Sequence, residues 1–233
     1  LDPSCDLDVA IKRIAFAKLL NAGQTCIAPD YLMVPKGMSD AVAEKFGAAV
    51  TKMYPTLLSN PDYTAIISER HHARLTSLVR EAAESGARVV EINPGNERFE
   101  AGETRKFPPT LVIGPSLQTQ LMREEIFGPV LPVLEYDGVD EAIAQIRGGD
   151  HPLALYWFGK DAAIQERILH ETLSGGVTIN DCLWHFVQED QPGGGVGASG
   201  MGDYHGEWGF NTFSKLKPVF HQARFNGNFM LRP

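Results

Sequence analysis

Short, continuous apolar runs alternate along this chain with amphipathic stretches of ten or more residues, and that alternation leaves few folds open. Tyr31-Leu32-Met33-Val34, residues 88–92, Thr110-Leu111-Val112-Ile113, and the runs 132–136, 153–158 and 176–179 read as strands, most of them bounded by proline or glycine. Most lack the polar–apolar alternation of a half-exposed strand. A continuous apolar strand needs cover on both faces. The cover is available in predicted helices over 8–20, 40–54, 68–85, 140–147 and 161–171. In the second of these, Val42, Phe46, Ala49, Val50 and Met53 share one side. In the third, Ser68 can cap the N-terminus while Leu75, Leu78 and Val79 point inward. Strands alternating with helices of this length form βαβ units. The expected fold is therefore α/β, a largely parallel open sheet flanked by helices.

Glycine and polar clusters punctuate the pattern. Asn21-Ala22-Gly23 ends the first helix, because glycine tolerates the left-handed conformation that closes a helix. Residues 94–103 read as a polar loop or hairpin, and 192–209 as an extended glycine-rich loop. One domain over 1–216 with a tail over 217–233 is the economical division.

Composition narrows the function classes. With 43% hydrophobic and 21% charged residues the chain can build an ordinary core. A net charge of −8 argues against nucleic acid or an anionic membrane as main partner. No run of about 18 apolar residues is present to span a bilayer. The three cysteines, Cys5, Cys26 and Cys182, cannot all pair and form no CxxC, which fits free thiols in a reducing, cytoplasmic compartment. The scattered histidines match no zinc spacing, so no metal is expected. The chain begins at Leu1 rather than Met, as a processed product or a fragment would.

Three segments could carry chemistry. In Asn21-Ala22-Gly23-Gln24-Thr25-Cys26, a cysteine follows a helix stop and precedes a buried strand. It is either a nucleophile on an ordered turn, beside backbone N–H groups that can stabilise an oxyanion, or a small buried hydrophobe. In Glu124-Glu125-Ile126-Phe127-Gly128-Pro129, two carboxylates precede a turn. They could bind hydroxyls, act as acid and base, or solvate a loop. Gly193 to Gly202 contains the spacing Gly195-x-Gly197-x-x-Gly200, yet no strand leads directly into it and no acidic residue follows about twenty positions on. Close backbone packing near an active-site mouth accounts for it better than a dinucleotide fingerprint.

Taken together, in order and spacing, these segments resemble the aldehyde dehydrogenase superfamily along nearly the whole chain. Residues 21–26 look like its catalytic-cysteine motif, with Cys26 as nucleophile. Residues 124–129 resemble its cofactor motif, in which Glu125 would hold the nicotinamide ribose and Phe127 would pack beside the nicotinamide. Phe107-Pro108-Pro109-Thr110-Leu111 and Gly176-Val177-Thr178-Ile179-Asn180 are similar to its later strands. Ile27-Ala28-Pro29-Asp30-Tyr31 and Ser199 to Gly206 resemble the branch that takes fatty and aromatic aldehydes, and Lys217-Pro218-Val219-Phe220-His221-Gln222 is most like bacterial coniferyl aldehyde dehydrogenases. The resemblance implies NAD or NADP, with NAD favoured, a small-molecule aldehyde as substrate, and a homodimer. It places Trp184, His185 and Phe186 where a substrate channel could be lined, although packing would explain them equally. It also implies that the general-base Glu, the oxyanion Asn and most of the cofactor domain precede Leu1, with residues 1–22 a helix linking to that domain. The 233-residue chain alone would then not complete turnover. Competing expectations are a semialdehyde or acyl-phosphate reductase of the same superfamily, and a non-enzymatic assembly module whose tail adds a strand to a partner.

Overall fold

A computed structural model describes residues 1–99, 104–224, 227 and 230. The chain runs α1 (Leu7–Leu19), β1 (Leu32–Pro35), α2 (Ser39–Met53), α3 (Glu69–Glu84), β2 (Arg88–Glu91), β3 (Thr110–Ile113), α4 (Gln120–Arg123), β4 (Val130–Tyr136) and α5 (Val139–Gly148). It continues through β5 (Ala154–Trp157), α6 (Ala162–Glu171), β6 (Gly176–Ile179), α7 (Trp184–Val187), β7 (Gly193–Gly194), β8 (Asp203–Tyr204) and α8 (Gly206–Thr212). Short polar side chains start several helices: Asp6 accepts the Val9 N–H, Ser68 that of His71, and Asp161 those of Ala163 and Ile164.

The main sheet has the order β1-β4-β3-β2, with β1, β4 and β3 parallel and β2 antiparallel at the edge. Edge position explains why β2 alone is charged at both ends, through exposed Arg88 and Glu91. The strands at the centre are continuously apolar for a visible reason. Successive residues point to opposite faces: Leu111, Leu131 and Val133 join one core, and Val112 and Val130 join the other. On the first face α1 and α2 contribute Ile11, Ile14, Phe46 and Val50; on the second α3 contributes Leu75, Leu78 and Ala82. Pro132 sits inside this central strand, where a missing N–H would normally be costly. Its backbone faces the β1 side, and pairing with β1 begins only at Leu32 opposite Val133, so no ladder bond is lost. A second parallel pair, β5–β6, packs with α5 and α6 around Trp157, Leu155, Ile143 and Ile168.

Two expectations change in form. The strands divide among three sheets rather than one, although the larger pairings remain parallel. The stretch 192–209 is not an extended loop. It holds an antiparallel hairpin of β7 with β8, a 3-10 turn at Gly197–Ser199 and the start of α8. Its glycines serve compactness: a Cβ on Gly194 would lie 2.2 Å from the Gly202 carbonyl oxygen. The turns α4 and α7 are too short to leave a periodic signal and were not expected. Of the loop read at 94–103, positions 100–103 lie outside the described residues, as does most of the tail beyond 224. Residues 217–224 are exposed and without regular structure, and α1, within the segment read as a linking helix, is built into the main core.

Candidate active site

The chain reverses sharply after α1. Asn21, Ala22 and Gly23 take φ of 52°, 53° and 73°, so the left-handed run at the expected helix stop begins two residues before the glycine. Gly23 is required by contact as well as by φ, since a Cβ there would meet the Gly128 carbonyl oxygen at 2.3 Å. The two polar motifs are thus packed backbone to backbone. A turn follows, closed by the Ala28 N–H on the Thr25 carbonyl (2.9 Å), with Cys26 exposed on its crest. The Cys26 N–H donates to no protein acceptor among the described residues and remains available to a ligand oxygen.

This turn is fastened on three sides. The Gln24 side chain donates to the carbonyls of Asn21 (3.0 Å) and Ala65 (3.1 Å) and accepts from the Ile67 N–H (2.8 Å). Tyr156 in β5 donates its hydroxyl to the Ile27 carbonyl at 2.6 Å. Asp30 accepts the Ile126 N–H at 3.0 Å, joining the cysteine turn to the loop of residues 124–129. That loop is held from its other side by Arg74 of α3. The guanidinium donates to the carbonyls of Glu125 (3.2 Å) and Ile126 and lies 3.7 Å from the Glu124 carboxylate.

Phe127 has φ of 50°, a conformation that costs a bulky residue free energy and persists only where surroundings impose it. Asn21, Ala22, Asn180 and His205, also in motif segments, have positive φ, as do Asn96 and Leu183 outside them. Glu125 stands exposed at the loop's rim. Partial desolvation and then the neighbouring Asp30 carboxylate push its carboxyl above the ordinary range, opposed by Arg74 and Lys18. A cleft of about 920 Å³ contains Cys26, Asp30, Glu125, Tyr156 and Ser199 in its walls, within the size range of small-molecule sites. Cys26 and Glu125 therefore share one cavity.

The aromatic candidates lie beside this cleft rather than in its wall. Trp184 is 61% exposed and lines a shallow depression with His185, Val187, Gln188 and Gln191. His185 rests on Gly176 and engages the Thr178 hydroxyl through Nδ1 at 2.7 Å; burial lowers its pKa. Phe186 packs edge-on against Tyr204 and His205. Their link to Cys26 runs through Tyr156 and Tyr204, both within electrostatic reach of its sulfur. Of the other thiols, Cys182 is buried in the main core, which pushes its pKa up, and Cys5 is partly covered. Among the described residues, no cluster of three His, Cys, Asp or Glu side chains is placed to hold a metal, and no helix is long and apolar enough to cross a membrane.

Sequence reasoning missed Lys18, Asp30, Arg74 and Tyr156. Only Lys18 left a signal: it falls on the same helical stripe as Ile11, Ile14 and Ala15, where a lysine is out of place.

Residues 1–219 match the aldehyde dehydrogenase family. A probable coniferyl aldehyde dehydrogenase of Caulobacter vibrioides is 48% identical over 96% of this chain and 46% of its own length. The substrate-bound structure of Staphylococcus aureus AldH superposes with a TM-score of 0.86 at 38% identity, covering 100% of this chain and 49% of that one. A Mycobacterium tuberculosis aldehyde dehydrogenase complexed with NAD+ gives a TM-score of 0.83 at 25% identity, covering 97% and 46% respectively. The chain spans about half the length of these relatives. With its motif loops packed around one cleft and the family matched over nearly its whole length, the chain belongs to the aldehyde dehydrogenase family.

Proposed function

We propose that this chain supplies the catalytic cysteine of an NAD(P)-dependent aldehyde dehydrogenase acting on an aromatic or fatty aldehyde, with coniferaldehyde the expected substrate and NAD the expected cofactor. The observation that carries the reading is the exposed Cys26, on a turn pinned by Gln24, Tyr156 and Asp30, in one cleft with Glu125. The relative named for coniferyl aldehyde supports the substrate, and the NAD+ complex among the structural relatives supports the cofactor.

The residues fit a nicotinamide nucleotide. The Glu125 carboxylate offers two acceptor oxygens at the cleft rim, suited to a pair of ribose hydroxyls; Phe127, two residues on, is half-buried and outside the cleft wall, so its packing beside the nicotinamide is supported by the family resemblance alone. Cys26 as thiolate adds to the aldehyde carbon, and the oxyanion that forms can accept from the free Cys26 N–H. When bound, the cofactor supplies the hydride acceptor. Loss of hydride leaves an acyl thioester on Cys26, which water hydrolyses to the acid. The cysteine turn, held on three sides, keeps the sulfur in place through both steps.

Because the chain spans about half its relatives' length, turnover is proposed to need groups outside it, and the 233 residues alone should give no steady NADH production. Exposed Phe210, Phe213, Leu216 and Phe220 support homodimer assembly through the C-terminal region, readable as mass in solution. Three thiols without a disulfide support a reducing, cytoplasmic setting. The deciding experiment is coniferaldehyde-dependent NAD reduction by the enzyme that carries this chain, parent against Cys26→Ala. Loss of activity in the variant is expected; robust activity without the thiol would sink the mechanism. A parent active only on other aldehydes would overturn the substrate alone.

A further inference from the structure

Alternation along β5 sends its side chains to two different places. Leu155 and Trp157 pack with α5 and α6, so Tyr156 projects from the other face, toward the main core and the cysteine turn. There its hydroxyl donates to the Ile27 carbonyl at 2.6 Å. The N–H of that same peptide group, carried by Ala28, donates to the Thr25 carbonyl at 2.9 Å and closes the turn. Tyr156 thus holds one end of the peptide whose other end makes the turn bond, and Cys26 lies inside that turn. The Ile27 side chain, buried in the main core, fixes the peptide from a third direction.

The tyrosine ring has its own support. Thr178 is its register partner in β6, so the two side chains stand on one face of the sheet. The His185 ring lies 5.8 Å from the Tyr156 ring, tilted at 49°. One hydroxyl locks His185 twice: the Thr178 Oγ1 is 2.7 Å from its Nδ1 and accepts its backbone N–H at 3.1 Å. The far edge of the imidazole rests on Gly176, where a Cβ would stand 2.3 Å from Cδ2. Its Nε2 is buried without a partner among the described residues, a cost that phenylalanine would avoid in the same space. What histidine adds over phenylalanine is the Nδ1 bond to Thr178, which sets the ring against Tyr156.

We propose that Thr178, His185 and Tyr156 are positioning residues for Cys26, a chain of contacts that carries the geometry of the β5–β6 sheet to the peptide closing the cysteine turn. His185 then serves the sulfur through Tyr156 rather than lining the path of the substrate. The proposal rests on Cys26 as the nucleophile. A sulfur whose turn can swing is aligned with the aldehyde carbon for less of the time, and the loss falls on the chemical step rather than on cofactor affinity.

The test uses the enzyme that carries this chain. It measures the first turnover of NADH formation at saturating NAD with coniferaldehyde, or with hexanal if the parent prefers it, beside NADH affinity and thermal melts. Tyr156→Phe keeps the ring and removes the hydroxyl; it should slow the first turnover about ten- to a hundredfold and leave NADH affinity unchanged. Tyr63→Phe is the matched control, because Tyr63 also donates to a carbonyl at 2.6 Å, that of Phe107, outside the cleft wall. It should melt lower yet turn over like the parent. Thr178→Val removes both bonds to His185 at similar volume, leaves Tyr156 itself intact, and should slow the same step. Combined with Tyr156→Phe it should add no further loss, because Thr178 acts only through the tyrosine. A merely structural role predicts instead that rates follow melting temperatures, with Tyr63→Phe slowed as well. A parent-like first turnover in Tyr156→Phe or Thr178→Val, or losses that multiply in the double variant, overturns the proposal. Should Tyr156→Phe fail to fold, the rate of Thr178→Val decides alone. Cys26→Ala, run beside them, separates the two layers. If it stays active, the nucleophile assignment fails and this proposal with it. If it is inactive while Tyr156→Phe and Thr178→Val turn over like the parent, only this proposal fails.

Discussion

Replacing Gly23 with alanine tests the packing on which the site depends. A Cβ at this position would lie 2.3 Å from the Gly128 carbonyl oxygen, 2.6 Å from its carbon and 3.0 Å from the Lys18 oxygen, all backbone atoms that no rotamer change can move. The residue also sits at φ +73°, which costs a side-chain-bearing residue about 1 kcal/mol relative to glycine. Forcing a methyl group into a filled site adds about 1–3 kcal/mol. The sum, roughly 2–4 kcal/mol, is a large share of a domain's ordinary stability. In a chain of this size it corresponds to a fall in Tm of roughly 5–15 °C. Two other glycines calibrate the measurement. Gly37 has φ +81° with open space around it, so Gly37→Ala should cost only the conformational part, about 1 kcal/mol. Gly47 lies inside α2 with nothing within 4 Å, so Gly47→Ala should stabilise by up to about 1 kcal/mol. Thermal melts of the four proteins under one condition read out the order. If Gly23→Ala melts with Gly37→Ala, the close approach of the cysteine turn to the 124–129 loop is wrong, and the shared cleft with it.

Native-state thiol labelling should find Cys26 fast, Cys5 slower and Cys182 silent until unfolding, because only Cys26 is exposed; a rapidly labelled Cys182 would contradict its place in the core. Tyr63→Phe strips the buried Phe107 carbonyl of its 2.6 Å hydrogen bond and should cost about 1–3 kcal/mol in urea unfolding, a loss that a value near zero would refute. Burial pushes the Lys18 ammonium down to about 8 from its ordinary value near 10.5. Between those values the unfolded chain binds more protons, so stability contributed at this site rises with pH. The parent should therefore gain up to about 3 kcal/mol on Lys18→Met between pH 7.5 and 10.5, and a pH-independent difference between the two would exclude that burial.

Much was decided along the chain itself. Continuous apolar runs such as 110–113 announced strands buried on both faces, and the cap at Ser68 and the stop beginning at Asn21 marked helix boundaries to within a residue or two, because both signals depend on neighbours close in sequence. The order of the motifs around Cys26 and residues 124–129 carried the family for the same reason. What lay beyond the sequence was anything set by residues distant along it. The glycine-rich stretch 192–209 read as an extended loop because glycine lowers every local propensity; its hairpin exists only through close contacts of Gly194 with residues 202 and 203. Trp184, His185 and Phe186 are consecutive, yet tertiary packing sends Trp184 to a separate depression and Phe186 toward Tyr204 and His205. Lys18 and Glu125 are more than a hundred positions apart, and periodicity along α1 could show only that a lysine stood on an apolar face. That it is buried beside the cysteine turn was settled by the fold, which brings the turn after α1 against the 124–129 loop at Gly23 on Gly128, where neither backbone carries a side chain.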